Sequence, residues 1–438
     1  MKRSTIAAIA TPMGRGGVGV VRVSGPRANS IVQALSPGKE LPPPRQAVLR
    51  NWLDDSGEVL DQGLLIRFPA PDSYTGEDVA ELHGHGSPVL MRALLQRIFR
   101  LGAQAASPGE FTRRAVENGK MDLSQAEAVA AAIDAATLRA AKLAQRQLHG
   151  DFGRRISELM SLLTGHVAHL EACLDFPEDE VPPLFLEELA QAVRAGLLEP
   201  LNAMLATAHL GERLFEGATI AFIGAPNVGK SSLLNALAGY ERAIVSDMPG
   251  TTRDLLEVDF ELHGIPVRIV DTAGLRASRD MIEQEGVRRA ETAAEHADLV
   301  VFVADAIRPE TWEAHEKADV LVMNKSDLTE VRAAPGFIVI SASTGDGLDQ
   351  LRDRLARLLG DASFSDESAI VTRERHRQSI ETAINQLQAG LSMMNSESEM
   401  DLAATEWRAA WTSLGEILGI GDVEHILDRV FSEFCIGK

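Results

Sequence analysis

The sequence predicts a multi-domain protein that combines α+β, all-helical and α/β parts. Three observations lead to this prediction. Strand-like and helix-like segments mix with many Gly and Pro turns over residues 1–118. Ala-rich stretches with aliphatic residues at helical spacing begin after residue 118 and resume after residue 361. Between these helical stretches, apolar strands alternate with helices, which is the pattern of a doubly wound parallel sheet.

The N-terminal part contains the strand-like runs Val18–Val23 and Gly63–Phe68 and the helix-like run Pro88–Leu101. The run Ser107-Pro108-Gly109-Glu110 has the spacing of a capping box with proline at the first helical position. It predicts a helix that begins there and ends near Gly119. Mixed strands and helices of this kind indicate an α+β domain.

Helix-forming sequence stands on both sides of the α/β part. The predicted helical stretches are Gln125–Leu148, Met160–Cys173 and Glu187–Leu210 before it, and Arg373–Asn395 and Ala403–Ile417 after it. Because the two ends of a domain commonly lie close together, the α/β part can be inserted into a helical domain whose halves pack together. The predicted boundaries are 1–118 for the N-terminal domain, 119–215 and 362–438 for the two helical parts, and 216–361 for the inserted domain.

Within the inserted part, strands are predicted at Thr219–Ile223, Val267–Val270, Val320–Met323 and Phe337–Ile340. Two strand-like runs, Leu255–Leu262 and Ile265–Val270, flank His263-Gly264, which is a hairpin signal. This hairpin adds one antiparallel strand to an otherwise parallel sheet.

Composition limits the classes of function. The formal net charge of −20 argues against a broad electrostatic contact with nucleic acid, because such contacts need a cationic surface. Any RNA contact would be local or assisted by a partner. Cys173 and Cys435 are the only cysteines, which fits free thiols in a reducing cytosol and is too few for a cysteine zinc site. The sequence has neither a signal peptide pattern nor an apolar run of membrane-spanning length, so we expect a soluble, cytoplasmic protein.

A phosphate-binding loop opens the inserted part. The run Gly224-Ala225-Pro226-Asn227-Val228-Gly229-Lys230-Ser231, called the phosphate loop below, follows a predicted strand and precedes a helix-like run. Its glycines allow backbone N–H groups to surround phosphates, Lys230 can reach the outer phosphates, and the Ser231 hydroxyl suits Mg²⁺. The sequence therefore predicts binding of a nucleoside triphosphate.

Further motifs favour GTP over ATP. Asp271-Thr272-Ala273-Gly274 follows an apolar strand, and Asn324-Lys325-Ser326-Asp327, called the guanine loop below, follows another. A carboxylate at Asp327 can accept hydrogen bonds from guanine N1–H and the exocyclic amine, which adenine does not offer in this arrangement. Ser341-Ala342-Ser343, called the closing loop below, stands where GTPases place the loop that closes over the base.

Three regions of the chain are similar to one GTPase family. They are Ala10-Thr11-Pro12 with Gly14-Arg15-Gly16-Gly17-Val18-Gly19 and Gly76-Glu77-Asp78; Gly250-Thr251-Thr252-Arg253-Asp254 with Asp271-Thr272-Ala273-Gly274-Leu275-Arg276; and Cys435-Ile436-Gly437-Lys438. On these residues the chain resembles the MnmE (TrmE) family of tRNA-modification GTPases over nearly its whole length. The N-terminal region and the last four residues are specific to that family, whereas a phosphate loop fits many GTPases.

The resemblance implies an N-terminal α+β tetrahydrofolate-binding domain, a discontinuous α-helical bundle and an inserted Ras-like doubly wound α/β G domain. It also implies a homodimer whose GTP hydrolysis is activated when the two G domains dimerise. The dimer would work with an MnmG-type partner, which carries the FAD, in a heterotetramer or larger complex. Together they would modify carbon 5 of the wobble uridine (position 34) of certain tRNAs to the cmnm5U or nm5U type, with tRNA held largely by the partner.

The one-carbon unit would come from a tetrahydrofolate derivative, either 5-formyl or 5,10-methylene. For this ligand the resemblance assigns Arg22, Glu81, Lys120 and Lys438. A carboxylate can pair with the amino-pyrimidinone edge of a pterin, and Arg or Lys can pair with its glutamate tail. The family places Cys435 beside this site, so it is a candidate catalytic residue. We interpret His83 and His85 as structural or pocket-lining, because no further ligand cluster accompanies them.

Hydrolysis of GTP needs charge neutralisation and a positioned water. We assign Mg²⁺ to the hydroxyls of Ser231 and Thr252, with Asp271 acting through a coordinated water. Ras-type enzymes place a glutamine directly after Asp-x-x-Gly, but this chain has Leu275, whose alkyl side chain cannot orient water. The resemblance implies two substitutes. Glu283 would position the water indirectly, and a K⁺ ion would stand in place of an arginine finger.

The K⁺ ligands implied by the family are Asn227, Ser246, Met248 and Thr251. The catalytic candidates are Lys230, Thr252, Glu283 and Cys435. The complete GTP-binding set is Asn227, Val228, Gly229, Lys230, Ser231, Ser232, Ser246, Asp247, Met248, Pro249, Gly250, Thr251, Thr252, Asp271, Thr272, Ala273, Gly274, Asn324, Lys325, Asp327, Ser341, Ala342 and Ser343.

Two other classes of protein share some of these features. A ribosome-assembly GTPase of the Era or EngA type would share Asn227 and Leu275, but it would need a basic RNA-binding appendage, where this chain has acidic helices. A dynamin-like scaffold would need a membrane-binding stretch, which this sequence lacks.

Overall fold

The structure is a computed structural model. It describes residues 4–175, 183–240, 257–271, 294–313, 316–329, 334–360, 369–394, 399–421, 423–432 and 434–437. These residues form two compact units, each drawn from separate stretches of the chain. The first unit comprises residues 1–130, 148–156 and 414–438, and the second comprises residues 131–147 and 157–413.

The elements before the phosphate loop are strands β1 (Ile6–Ile9), β2 (Gly16–Ser24), β3 (Val48–Leu53), β4 (Val59–Phe68), β5 (Val79–Gly86), β6 (Gln104–Ala105) and β7 (Ala218–Ile223), and helices α1 (Ala28–Leu35), α2 (Pro88–Arg100), α3 (Glu110–Glu117), α4 (Leu123–Asp134), α5 (Leu138–Leu148), α6 (Asp151–Asp175), α7 (Pro183–Val193), α8 (Glu199–Leu205) and α9 (Ala208–Glu216). Later elements are strands β8 (Glu257–Leu262), β9 (Ile265–Asp271), β10 (Leu299–Asp305), β11 (Val320–Asn324) and β12 (Phe337–Val339), and helices α10 (Lys230–Tyr240), α11 (Leu348–Leu358), α12 (Glu374–Met393), α13 (Met400–Leu418) and α14 (Glu424–Ser432).

The first unit contains a sheet of order β3-β4-β5-β2-β1-β6, in which β1 and β6 pair parallel and the other neighbours pair antiparallel. Val21 and Leu82 of this sheet pack in one core with Ile31 of α1 and Leu94 of α2. Successive side chains of a strand point to opposite faces. Arg22 of β2 and Glu81 of β5, which are paired across the two strands, therefore lie on the face opposite these helices.

The second unit contains a sheet of order β12-β11-β10-β7-β9-β8. Its neighbours pair parallel, except that β8 pairs antiparallel with β9 across the turn His263-Gly264. Every residue of β10 is buried, as expected for a parallel strand covered on both faces. The predicted doubly wound α/β fold and the hairpin are therefore confirmed.

Two of the predicted helices are interrupted. The sequence predicts one continuous helix over Gln125–Leu148, but α4 ends at Asp134 and α5 begins at Leu138. Thr137 explains this break, because its Oγ1 accepts from Ala140 N at 3.2 Å and donates to Gly264 O at 2.7 Å. The stretch Glu187–Leu210 contains a five-residue π-helical turn at Arg194–Leu198 and a break after Leu205. Pro200 follows the π-helical turn, and proline cannot donate a helical hydrogen bond.

The predicted capping box is only half formed. Helix α3 begins at Glu110, two residues later than expected, after Gly109 in the left-handed region at φ 65°. Ser107 N donates to Glu110 Oε2 at 2.8 Å, which is the reciprocal bond of a capping box. The four domain boundaries proposed from the sequence remain a prediction. In the part of the chain that the structure describes, no helix is long and apolar enough to cross a membrane.

Candidate functional site

The phosphate loop is fixed by two glycines with positive φ. Gly224 has φ +140°, and a Cβ there would lie 2.2 Å from Val303 O of β10. Gly229 has φ +97°, and a Cβ there would lie 2.3 Å from Asn324 Nδ2 at the end of β11. Only glycine accommodates both the backbone conformation and the close contact. The loop therefore packs against the carboxyl ends of two neighbouring strands.

Lys230 begins helix α10, and its ammonium group is held at the phosphate loop. Its Nζ donates to Gly224 O at 2.7 Å and to Ala225 O at 3.0 Å, and the residue is 6% exposed. Ser231 and Ser232 follow in the first turn of the helix, and both are exposed. The start of α10 thus combines a positive side chain, helix N–H groups and hydroxyls, which is the set of donors that a polyphosphate requires.

The guanine loop contacts the phosphate loop directly. Asn324 Nδ2 donates to Val228 O at 3.0 Å, while Asn324 Oδ1 accepts from Ala342 N of the closing loop at 3.0 Å. Lys325 Nζ donates to Asn227 O at 2.8 Å. One asparagine and one lysine therefore join the three predicted nucleotide-binding loops.

Asp327 is held by the closing loop. Its Oδ1 accepts from Ser341 Oγ at 2.6 Å, and Ser341 Oγ lies 2.9 Å from Ser343 Oγ. The hydrogen bond from Ser341 is the largest of the effects that lower the pKa of Asp327 below its usual 3.8. The carboxylate therefore stays ionised and able to accept from guanine N1–H and the exocyclic amine.

Several predicted residues lie outside the described part of the chain. They are Ser246, Asp247, Met248, Pro249, Gly250, Thr251, Thr252, Thr272, Ala273, Gly274, Glu283 and Lys438. Asp271 ends strand β9, next to β7 in the sheet, and only its backbone is described. The roles of these residues stay predictions.

A second cluster of predicted residues lies in the first unit. Arg22 Nε and Nη2 both donate to Glu81 Oε1, at 3.0 and 2.9 Å. Both side chains are largely buried, at 14% and 18% exposure. The Arg22 guanidinium also lies 5.4 Å from the centre of the Tyr74 ring and 5.7 Å from that of Phe111. Glu81 Oε2 makes a longer contact of 3.4 Å with His83 Nε2, so it can accept from a ligand.

The C-terminal segment lies beside Arg22. Gly437 O is 3.5 Å from Arg22 Nη1, and Cys435 O accepts from Gly109 N at 3.4 Å. Cys435 is an exposed free thiol. Lys120 is farther along the surface, where its Nζ donates to Pro71 O at 3.0 Å. Tyr74 belongs to the same connection between β4 and β5 as Pro71, so this connection links Lys120 to the Arg22 cluster.

Two protein families match successive parts of this chain. Residues 5–120 match the family described as the N-terminus of GTP-binding protein TrmE, and residues 123–435 match the family described as the MnmE helical domain. This chain belongs to the MnmE family. A tRNA modification GTPase MnmE from Nitrosomonas eutropha is 44% identical over 99% of both chains. The MnmE of Methylococcus capsulatus is 44% identical over 100% of this chain and 99% of its own.

A solved structure of the FeoB G-domain from Methanococcus jannaschii is 28% identical and covers 33% of this chain and 98% of its own, with a TM-score of 0.26. A TM-score this low adds nothing to the assignment. The sequence relatives and the three joined loops identify the chain as a GTP hydrolase. The ribosome-assembly alternative is not favoured, because both matched families are MnmE families.

The structure also brings into these sites three residues that motif analysis missed. Tyr74 and Phe111 flank Arg22, and Asp305 contacts Lys325 Nζ at 2.7 Å. Asp305 could have been found from the sequence, because it ends a buried parallel strand on the same sheet edge as the two loops. No group of three potential His, Cys, Asp or Glu metal ligands occurs within the described ranges, and the interpretation of His83 and His85 as structural or pocket-lining stays a prediction.

Proposed function

We propose that this MnmE-family chain hydrolyses GTP as part of a tRNA-modifying complex. In this proposal a homodimer works with an MnmG-type FAD-dependent partner on carbon 5 of the wobble uridine, using a tetrahydrofolate one-carbon unit. The observation that carries the GTPase part is the direct contact of Asn324 and Lys325 with the phosphate loop, because it supports a site in which the proposed guanine-binding and phosphate-binding loops act together. The tRNA part is supported by full-length relatives named tRNA modification GTPase MnmE.

The cellular role is tested by mass spectrometry of tRNA. Cells that lack this protein should lose the modification at carbon 5 of the wobble uridine, and the unaltered gene should restore it. A Lys230→Ala version should not restore it, because it removes the ammonium from the phosphate loop. Normal modification in the deletion strain would reject the tRNA proposal.

During hydrolysis, a water attacks the γ-phosphorus and the bond to the β–γ bridging oxygen breaks, giving GDP and phosphate. Lys230 binds the outer phosphates and offsets their charge. The Ser231 hydroxyl, in the first turn of α10, fits Mg²⁺, which takes oxygen ligands and keeps several waters. Bound there with Thr252, the ion would supply charge neutralisation. The chain's own contribution is to hold the phosphates in one orientation.

Asn227 fits a K⁺ ligand. It is exposed and has φ 63°, while its carbonyl is occupied by Lys325, so the side-chain amide oxygen is the group left for a cation. Turnover of GTP should be faster in KCl than in an equal concentration of NaCl. Asn227→Gly keeps the positive φ without strain but removes this oxygen, so it should remove most of the difference between the salts. Equal turnover of the unaltered protein in both salts would reject the K⁺ proposal.

The Arg22 cluster fits a reduced folate. Glu81 pairs with Arg22 through Oε1 and not through Oε2, aromatic rings lie next to the guanidinium, and Lys120 offers a second cation. Calorimetric titration with 5-formyltetrahydrofolate should show binding that Arg22→Ala weakens by at least about tenfold, as expected for loss of a charge-assisted pair. Arg100→Ala is the matched control, because Arg100 is 60% exposed and pairs with Asp55 instead. Absence of binding by the unaltered protein would reject this site.

A further inference from the structure

Asp305 is a buried carboxylate that no motif includes. It ends strand β10 and is 1% exposed. Its Oδ1 accepts from Ile307 N at 3.0 Å, and its Oδ2 lies 2.7 Å from Lys325 Nζ and 3.6 Å from Arg308 Nε. Its backbone is fixed as well, because Asp305 N donates to Thr311 Oγ1 at 3.0 Å and Asp305 O accepts from Trp312 Nε1 at 2.8 Å. The position of this carboxylate is therefore set by the surrounding fold.

The carboxylate is connected to the phosphate loop through one ammonium group. Lys325 Nζ contacts Asp305 Oδ2 and also donates to Asn227 O at 2.8 Å. A buried carboxylate requires a charged partner, so the lysine is held where it meets both groups. Burial raises the pKa of Asp305, but the hydrogen bonds from Lys325 and Ile307 and the nearby charges outweigh it and keep the pKa below its usual 3.8.

We propose that Asp305 is a positioning residue for the nucleotide: its carboxylate fixes Lys325, and Lys325 in turn fixes the Asn227 carbonyl and the shape of the phosphate loop. This inference rests on guanine nucleotide binding by the three loops and adds a residue to that site. Asp305 does not touch the nucleotide in this scheme. Its removal should therefore weaken binding by loosening the loop, and the effect should depend on Lys325.

Asp305→Asn is the informative substitution because both carboxylate oxygens accept hydrogen bonds. An asparagine of the same shape offers one acceptor and one donor. Its amide nitrogen must then face either Ile307 N–H or the Lys325 ammonium, and each of these is a donor. The pair with Lys325 is the one that can separate, since the lysine side chain is 27% exposed and flexible.

The experiment measures the dissociation rate of a fluorescent GDP analogue from the full chain, for the parent, Asp305→Asn, Lys325→Met and the double variant. Each single change should accelerate dissociation by about tenfold, the size expected when a charged hydrogen bond is lost. The double variant should dissociate no faster than Lys325→Met. Arg308→Ala is the matched control, because Arg308 approaches the same oxygen at 3.6 Å and its side chain is 44% exposed; its rate should stay close to the parent's.

Two results would overturn the proposal. One is an unchanged dissociation rate in Asp305→Asn, and the other is an Asp305→Asn substitution that accelerates dissociation equally in the parent and in the Lys325→Met variant. The second result would indicate a purely structural role of Asp305, which does not depend on Lys325. If Asp305→Asn does not fold, Asp305→Glu replaces it. Its charge is kept but displaced by one methylene, so dissociation should again accelerate, and an unchanged rate would count against the proposal. If the parent itself binds no guanine nucleotide, it is the nucleotide site that is wrong rather than the role of Asp305.

Discussion

At the scale of single residues, we propose that one carboxylate, Asp327, determines which base is bound. Asp327 accepts from Ser341 and remains ionised, so it can pair with two donors of guanine. In Asp327→Asn one acceptor becomes a donor, which suits the O2 carbonyl of xanthine. We expect GTP affinity to fall about a hundredfold, the size expected for two charge-assisted hydrogen bonds, and XTP to become the better ligand. Competition of GTP and XTP against a labelled nucleotide measures both.

The matched control for this change is Asp346→Asn, in the same loop region. Asp346 Oδ2 accepts from Thr344 Oγ1 at 2.7 Å and has no predicted contact with the base. This variant should keep the preference for GTP. An Asp327→Asn protein that still preferred GTP would show that another group selects the base.

We expect Ser341 to influence the pH range over which Asp327 can bind guanine. Its hydrogen bond is the largest cause of the lowered pKa of Asp327, whereas the bond from Ser343 is the smallest. In Ser341→Ala the pKa should rise toward 3.8. Because guanine binding needs the ionised carboxylate, affinity is lost as the pH falls through this pKa, and in the variant it should be lost at a higher pH than in the parent.

Nucleotide affinity measured at decreasing pH checks this expectation. Ser343→Ala should raise the pH at which nucleotide affinity is lost by less than Ser341→Ala does, since it removes the hydrogen bond with the smaller effect on the pKa. If the parent and Ser341→Ala lose affinity at the same pH, Ser341 does not set the pKa of Asp327.

At the scale of elements, the junction between β7, the phosphate loop and α10 depends on Gly229. Its φ is +97°, and a Cβ at this position would lie only 2.3 Å from Asn324 Nδ2, which leaves no room for a side chain. Gly229→Ala should therefore push Asn324 off Val228 O and reduce nucleotide affinity by at least about tenfold, as expected for about 1–3 kcal/mol of strain. Equilibrium binding of a labelled GDP measures the loss.

Gly239→Ala is the control for this element. Gly239 lies in α10 and its φ is outside the left-handed region. No atom lies within 4 Å of the position that a Cβ would take. Alanine there should raise the free energy of unfolding by up to about 0.5–1 kcal/mol and leave affinity unchanged. Equal affinities for the two variants would mean that Gly229 has no special role.

The elements differ in how well the sequence predicts them, and the reason is physical. Strand β7, the phosphate loop and α10 carry local signals, namely an apolar run, fixed glycines and helix-forming residues, so the prediction was confirmed. The break between α4 and α5 carries no such signal. Its cause is the hydrogen bond from Thr137 to Gly264, which is 127 residues away. The position of Asp305 at the end of an apolar strand is a local signal, but its contact with Lys325, 20 residues later, is not.

At the scale of the whole molecule, the C-terminal segment lies beside strands near the N-terminus. The first unit includes both the N-terminal residues and residues 414–438. Within it, Gly437 O approaches Arg22 Nη1, a contact between residues 415 positions apart. Family resemblance associated the last residues with the folate site, but neither composition nor periodicity can indicate a contact over this separation. What makes it possible is a glycine at a position where the backbone has φ +104° and passes close to β1.

The contact between the C-terminal segment and Arg22 gives a prediction for the whole molecule. A Cβ on Gly437 would lie 2.5 Å from Ile9 O, which is backbone and cannot move aside. Gly437→Ala should therefore displace the C-terminal segment from Arg22 and weaken 5-formyltetrahydrofolate binding by a few-fold to about tenfold, since one wall of the site is lost while the Arg22–Glu81 pair remains. Gly421→Ala separates contact from backbone strain, because Gly421 has φ +106° but no atom within 4 Å of a Cβ. If both variants weaken folate binding equally in calorimetry, strain alone is responsible and the C-terminal segment is not part of the site.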